Sequence, residues 1–160
     1  MKQLLIILFA LSSFTCCIAS CDKNDWPALT QNNSNNNDDS INKTGNKMKI
    51  IVGTTVFTAT LNDNATAKAF KAMLPMTISM SELNANEKFV YFSSILPTSA
   101  APGDRIKSGD LMLYGNNCLV LFYEDLNTSY SYTRLGKIDN VNGMKAALGT
   151  GDITVKFELK

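Results

Sequence analysis

The sequence contains no histidine. Without an imidazole, a chain cannot form a Ser-His-Asp triad, a Cys-His nucleophile pair or a histidine-ligated zinc site. It also lacks the only side chain whose ordinary pKa suits general base catalysis near neutral pH. The absence of histidine therefore excludes several large classes of enzyme before any motif is considered.

Cysteine is scarce beyond the N-terminus. Three of the four cysteines, Cys16, Cys17 and Cys21, lie at the start of the chain, which leaves only Cys118 in the rest of the sequence. A single thiol cannot close an intrachain disulfide or build a thiolate zinc site. No basic cluster accompanies Cys118 in sequence, so we interpret it as an inert core thiol and not as a nucleophile.

The chain also lacks any run of basic residues. Its formal net charge is +1, and removal of Lys2 with the N-terminal leader described below would leave equal numbers of acids and bases. Binding to polyanions requires a basic patch, so nucleic acid is not expected as a partner. The acids at Asp104, Asp110 and Asp139 are scattered through turns and do not form a metal-ligand spacing. There is no phosphate-cradling glycine loop and no flavin motif, and no cofactor is expected.

The first twenty residues have the pattern of a secretory leader. Lys2 precedes an apolar run from Leu4 to Leu11, and no acid occurs before Cys21. The segment Ile18-Ala19-Ser20-Cys21 resembles the lipobox of bacterial lipoproteins. That resemblance implies cleavage before Cys21 and attachment of lipid to its thiol, which would anchor the protein on the outer side of a membrane. The alternative is an ordinary signal peptide followed by a chance cysteine.

Residues 21–47 follow as the lipidated cysteine and a polar tether. The 26 residues from Asp22 onward are dominated by Asn, Asp, Ser, Lys and Thr, a composition that cannot bury a core and predicts disorder. As a flexible coil this segment would have a root-mean-square span of roughly 30 Å. Trp26, the only tryptophan, lies within it. An isolated tryptophan beside a lipid anchor favours the membrane interface.

From Met48 onward, apolar and polar residues alternate with the period of two that half-buried strands show. This pattern predicts eight strands, at about 48–52, 57–61, 76–81, 88–93, 111–114, 118–123, 132–138 and 153–159. The strand at 88–93, KFVYFS, is apolar on both faces, which indicates that something covers or binds its outer side. Residues 96–105, rich in Pro, Ser, Thr and Gly, and residues 124–130 are predicted to be loops.

Two helices interrupt the strands. The first follows Asn62-Asp63-Asn64, whose side-chain oxygens suit an N-cap, and ends at Pro75. The second is predicted to be capped by Asn142 and to stop at Gly149. Helices in these two positions do not form a regular βαβ series. The expected fold of residues 48–160 is therefore dominated by β-structure: an eight-stranded closed antiparallel barrel with two capping helices.

The best candidate for a binding surface lies at the end of residues 108–136. Period two places Tyr130, Tyr132 and Arg134 on one face, where two rings and a guanidinium could hold a peptide carbonyl, a carboxylate or a flat ring. The alternative is an exposed arginine that packs on tyrosines for stability. Tyr114 and Tyr123 end the two central strands. They either border the same groove or only close the barrel.

Several segments resemble a known family. They are VFTATLNDNATAKAF followed by LPMT, SGDLMLYGNNCLVLFY, SYSYTRLGKID and ALGTGDITVKF. In this order they are similar to the bacterial cyclophilin-like domain, a relative of cyclophilins that occurs alone or attached to flavodoxin-type proteins. The resemblance covers nearly all of residues 48–160 and implies an eight-stranded barrel with two capping helices.

The resemblance leaves three hypotheses for function. Cyclophilin isomerases present a catalytic arginine on a Phe-His-Arg strand, but residues 88–93 contain no arginine and the chain has no histidine. We therefore expect a lipid-anchored module that binds a peptide or small ligand without catalysis. A divergent prolyl isomerase or folding helper for exported proteins is the first alternative. An accessory domain of a flavodoxin-type redox protein is the second, and fold resemblance alone cannot separate them.

Overall fold

The computed structural model describes residues 45–160. The predicted leader, the lipidation of Cys21 and nearly all of the tether lie outside the described residues. The first strand begins at Lys47, one residue earlier than the alternation predicts. Within residues 45–160, no helix combines the length and the apolar character needed to cross a bilayer.

The described chain forms nine strands and two helices. In chain order they are β1 (Lys47–Val52), β2 (Thr55–Leu61), α1 (Ala65–Ala72), β3 (Met76–Leu83), β4 (Glu87–Tyr91), β5 (Ala101–Ile106), β6 (Asp110–Tyr114), β7 (Cys118–Phe122), β8 (Leu126–Ile138), α2 (Met144–Leu148) and β9 (Ile153–Leu159).

Eight of the strands form a closed antiparallel ring, in the order β2-β1-β9-β3-β4-β7-β6-β8. The ring closes where β8 pairs with β2 through Ala59 with Ile138, Thr60 with Lys137 and Leu61 with Gly136. A Cβ atom at Gly136 would lie only 2.4 Å from the Thr60 carbonyl oxygen, so glycine is required for this close approach. The predicted strand-dominated fold and its closed ring of eight strands are confirmed.

The ninth strand, β5, corrects the loop predicted at 96–105. It pairs with the first half of β8, which begins at Leu126 and thereby also replaces most of the loop predicted at 124–130. Gly103 looks like a loop signal but serves close packing, because a Cβ atom there would lie 2.7 Å from Thr128 Cγ2. Asp104 has a left-handed φ of 48° at the irregularity between Pro102 and Asp104. The loop-like composition of residues 96–105 therefore does not reveal that part of this segment is a bulged edge strand.

The two helices pack on the interior of the ring. Asn64 caps α1 as predicted, since its Oδ1 accepts a hydrogen bond from the Ala67 amide at 2.8 Å. The predicted cap of α2 is wrong: Gly143, and not Asn142, precedes the helix, because the chain enters it in a left-handed conformation with φ of 77°. Phe70 of α1 and Met144 of α2 are buried in the main core.

The apolar residues of β6 and β7 divide between two cores. Leu111, Leu113, Leu119 and Leu121 point into the ring and join the main core. The alternate residues point outward into a second cluster, which contains Ile106, Met112, Cys118, Val120, Phe122 and Tyr132, with Phe89 and Leu126 packed against it. This outer cluster explains why both central strands are apolar on both faces, and it forms the floor on which the candidate site is built.

The strand β8 changes neighbours along its length. One edge pairs with β5 over 126–132 and with β2 over 136–138. The opposite edge pairs with β6, but only from Tyr132 onward. Within the part of the chain that the structure describes, residues 126–131 therefore have a strand partner on one edge only, and the other edge is open.

Candidate functional site

A groove of about 330 Å³ lies on the outer face of the ring. Its floor is formed by β4, β7 and the end of β6, and one wall is the first half of β8. The side chains that line it come from the turn before β4 and from these strands, and we call it the aromatic groove: Leu83, Asn84, Asn86, Glu87, Phe89, Tyr91, Tyr114, Cys118, Val120, Leu126, Thr128, Tyr130 and Tyr132.

Strand alternation places one face of β4 in the groove. Glu87, Phe89 and Tyr91 all line it, whereas Lys88 between them points to the other side of the sheet. The register pairs Phe89 with Val120 and Tyr91 with Cys118, and these two β7 residues form the adjacent floor. The strand at 88–93 is apolar on its outer face because that face forms the floor of a groove.

Five aromatic rings surround the groove in two groups. Phe89 and Tyr91 on β4 meet edge to face, with centroids 5.9 Å apart and planes at 82°. Across the floor, Tyr114 contacts Tyr130 at 5.9 Å and 83° and Tyr132 at 5.5 Å and 51°. Tyr132 is buried, whereas Tyr91 and Tyr130 are each 61% exposed. Tyr132 is therefore packed at the base of the groove, whereas Tyr91 and Tyr130 are accessible to a ligand.

One end of the groove carries polar groups that have no partner. The Asn86 Oδ1 atom is buried without a hydrogen bond from any described residue. The Glu87 side chain is only 9% exposed, and no described residue donates a hydrogen bond to it. Burial, with a smaller contribution from the charge of Glu82, raises the pKa of Glu87 above its ordinary value. A fully buried and unsatisfied acceptor such as Asn86 Oδ1 is rare in folded proteins and requires an explanation.

The phenols of Tyr91 and Tyr132 and the thiol of Cys118 have raised pKa values and are neutral near physiological pH. Burial raises the pKa of Tyr132 to about 12. Burial also raises the pKa of the Cys118 thiol, which lies on the groove floor and not in the interior of the ring. The neighbouring Cys118 raises the pKa of Tyr91. Glu87 is thus the groove residue whose charge changes most readily.

Arg134 lies outside the aromatic groove. It shares the outer face of β8 with Tyr132, as period two predicts, because these two residues pair with Met112 and Tyr114 of β6. Its guanidinium donates from Nη1 to Asp110 Oδ2 at 3.2 Å. It lines a neighbouring depression that shares Tyr132 with the aromatic groove.

Tyr123 also lies elsewhere, at the end of the ring near α2. Its hydroxyl donates to Glu82 Oε1 at 2.7 Å. Lys88, whose side chain is fully buried, forms an ion pair with the same carboxylate and donates to the carbonyls of Gly149 at 3.0 Å and Gly151 at 2.6 Å. Burial raises the pKa of Glu82, but hydrogen bonds from Lys88 and Tyr123 outweigh this, and the net shift is downward.

A wider depression of about 750 Å³ lies beside this network, lined in part by Tyr123 and Lys145. It is larger than the aromatic groove, but its main polar groups already have partners. Tyr123 binds Glu82, and Lys145 forms an ion pair with Glu124. Among the described residues, no group of three or more metal-ligating side chains is close enough to hold a metal ion. The aromatic groove is therefore the better candidate site.

Of the five sequence-predicted ligand residues, the structure brings Tyr114, Tyr130 and Tyr132 together in one groove and places Arg134 and Tyr123 apart from it. Sequence reasoning missed four groove residues, Asn86, Glu87, Phe89 and Tyr91. The available signal was the alternation of Glu87, Phe89 and Tyr91 on one face of a strand that was already marked as apolar on both sides.

Comparisons with known proteins agree with the fold. A search among curated proteins returned no match. Among solved structures, the chain is similar to the solution structure of the hypothetical protein AF2241 from Archaeoglobus fulgidus, with 16% sequence identity and a TM-score of 0.53. The match covers 72% of this chain and 95% of that one, and at this identity it shows the fold alone. The model of the Cyclophilin-like family matches residues 50–158, so the chain belongs to the Cyclophilin-like family.

Proposed function

We propose that this domain is a non-catalytic binding module, held outside the membrane by a lipid on Cys21, and that its aromatic groove takes a peptide segment or a small ligand. One observation carries the proposal. Of the six large hydrophobic side chains that are exposed within residues 45–160, four line the groove: Leu83, Tyr91, Tyr114 and Tyr130. Exposed apolar side chains gathered in one concave site are typical of ligand recognition.

The open edge of β8 supports a peptide as the ligand. Residues 126–131 form one wall of the groove and lack a strand partner on one edge. An extended peptide can add to such an edge through backbone hydrogen bonds while alternate side chains enter neighbouring pockets. Asn86 Oδ1 and Glu87 would then provide acceptors at the end of the groove.

Selection from a library of extended peptides tests the groove. Tyr130→Ala and Tyr114→Ala should each weaken selected peptides by about tenfold, since truncation of an aromatic residue at the centre of an interface costs on the order of 1–2 kcal/mol. Val56→Ala is the matched control, because Val56 is an exposed hydrophobic outside the groove. Arg134→Ala should have no effect. If both tyrosine variants bound every peptide unchanged, the groove would be the wrong surface.

A proline-limited refolding assay tests the isomerase alternative. Neither of the two arginines lines the groove: Arg134 pairs with Asp110, and Arg105 lies beside Asp125 and Asn127. We expect no acceleration of refolding above a buffer control at micromolar protein. Acceleration that disappeared in Tyr132→Ala would instead assign isomerase activity to the groove. Genome neighbourhood tests the third function, because an accessory domain should be encoded beside a flavodoxin-type partner.

The anchor is tested separately from the groove. We expect labelled fatty acid to be incorporated into the full chain and the chain to fractionate with membranes. Cys21→Ser should abolish both, whereas Cys17→Ser should change neither. Release of an unlabelled wild-type protein in soluble form would favour an ordinary signal peptide.

A further inference from the structure

The aromatic groove is lined by groups that attract cations and by no positively charged side chain. None of its lining residues is a lysine or an arginine, and Glu87 is its only carboxyl group. Aromatic faces carry negative electrostatic potential, so each ring that turns a face to the groove adds to the effect of that carboxyl group. The unsatisfied Asn86 Oδ1 is also an acceptor. A ligand that complements this lining must be a cation or a hydrogen-bond donor.

No cation among the described residues pairs with Glu87. The nearest cation in sequence, Lys88, lies on the opposite face of β4 and binds Glu82. Partial removal of a carboxylate from water without a paired charge is unfavourable, and the burial of Glu87 imposes part of that penalty here. A ligand cation is the simplest group that would offset it.

The rings restrict the kind of cation. A lysine ammonium is compact and strongly hydrated, and it keeps its water in a groove lined mainly by carbon. An alkylated ammonium spreads its charge over methyl groups, loses water more easily and fits against several aromatic faces at once. The two perpendicular ring pairs, Phe89 with Tyr91 and Tyr114 with Tyr130, face the groove from β4 and from β6 and β8.

We propose that the aromatic groove binds an alkylated ammonium group, with the rings around its methyl groups and Glu87 as its counter-ion. This inference rests on the proposed function and specifies its ligand. The cation can belong to a free quaternary ammonium compound or to a methylated lysine side chain of a bound peptide. The chemistry recognised is the same in both cases.

Binding should depend on pH through Glu87. The titratable groups that interact electrostatically with it are Glu82, Cys118, Tyr123 and Tyr132. The pKa of Glu82 is lowered, and the pKa values of the thiol and the two phenols are raised, so these four groups keep their charge states near neutral pH. A cation favours the ionised form of Glu87, and its affinity should therefore increase as pH rises through the pKa of that carboxyl group.

Calorimetric titration of the full chain with choline, and with its neutral isostere in which carbon replaces the ammonium nitrogen, tests the proposal. Choline should bind about tenfold more tightly than the isostere, the ratio that a cation–π and charge contribution of about 1.4 kcal/mol gives. Glu87→Gln should remove most of this preference together with its pH dependence. Glu158→Gln removes a partly exposed carboxyl on β9 that pairs with Lys156, and this matched control should change neither.

A second pair of probes identifies the source of the cation. A short extended peptide with one trimethyllysine is compared with the same peptide carrying norleucine. Tighter binding of the trimethyllysine peptide than of choline would assign the cation to a peptide, and equal binding would assign it to a free ion. Equal affinity for each charged probe and its neutral partner would overturn the cation inference but leave the groove as a binding site. Absence of binding of both choline and the trimethyllysine peptide at millimolar concentration would also overturn it.

Discussion

Glu87 and Lys88 are adjacent in sequence, but their side chains lie on opposite faces of β4. Lys88 points to the inner side, where Glu82 and two backbone carbonyls bind its ammonium group. Glu87 points to the outer side and lines the aromatic groove, where no residue of the described part of the chain pairs with it. The alternation of one strand thus separates two opposite charges that could otherwise pair, and it leaves one of them facing the groove.

Lys88→Met should destabilise the domain by about 3 kcal/mol, because it leaves Glu82 partly buried without its cation. Urea unfolding monitored by circular dichroism measures the change. Lys145→Met removes a lysine from the exposed pair with Glu124 and should change stability by less than about 0.5 kcal/mol. A double variant with Glu82→Gln should recover part of the loss, and equal effects of the two lysine variants would contradict a structural role for Lys88.

Glu87→Gln should stabilise the domain near neutral pH. The raised pKa of Glu87 means that the folded state keeps a proton that the unfolded chain has released, so stability falls as pH rises above the ordinary value of 4.5. The variant should lose this component and gain stability over wild type as pH increases. The measurement is the difference in unfolding free energy between variant and wild type at several pH values. A difference that does not vary with pH would show that the pKa of Glu87 is the same in the folded and unfolded states.

Gly136→Ala should weaken the closure of the ring. Its Cβ atom would lie 2.4 Å from the Thr60 carbonyl oxygen and 3.0 Å from Leu61 Cα, and both are backbone atoms that cannot rotate away. We expect a loss of about 3 kcal/mol, at the upper end of overpacking effects. Gly151→Ala is the control, since nothing lies within 4 Å of its Cβ position. Similar melting temperatures for the two variants would contradict the close approach of β2 and β8.

Asn64→Ala should cost about 1 kcal/mol through loss of the cap of α1. The same side chain also donates from Nδ2 to the Arg134 carbonyl at 2.8 Å, so the variant loses two bonds. Asn62→Ala loses only a bond to that carbonyl and separates the two effects. Chemical denaturation should show a larger loss for Asn64→Ala. An equal loss in both variants would assign the effect to the Arg134 carbonyl and not to the cap.

The alternation of apolar residues was sufficient to predict the eight strands of the ring and their closure. It failed at β5, where Gly103 and Pro102 have the composition of a loop but occupy a bulged strand packed on Thr128. Propensity describes a residue's local preference, whereas pairing with β8 depends on a contact between distant segments. The strand β5 could therefore be recognised only from its pairing with β8 in the structure.

The groove was only partly predictable, for a related reason. Sequence identified Tyr114, Tyr130 and Tyr132 as candidates and showed that the face of β4 with Phe89 is apolar. It could not show that this face stays uncovered, because that depends on the path of β8 over β7. Nor could it show that Arg134 turns to Asp110, a residue 24 positions earlier in the chain.

The strand β8 performs two tasks on one continuous backbone. Its second half forms the three-residue seam with β2 that closes the ring, and its first half forms a wall of the groove. A force on a ligand bound against the first half would therefore be transmitted along the strand to a seam of only three residue pairs. Conversely, a ligand that immobilises the wall should also hold the seam in register, which slower amide exchange at Ile138 and its neighbours on binding would reveal.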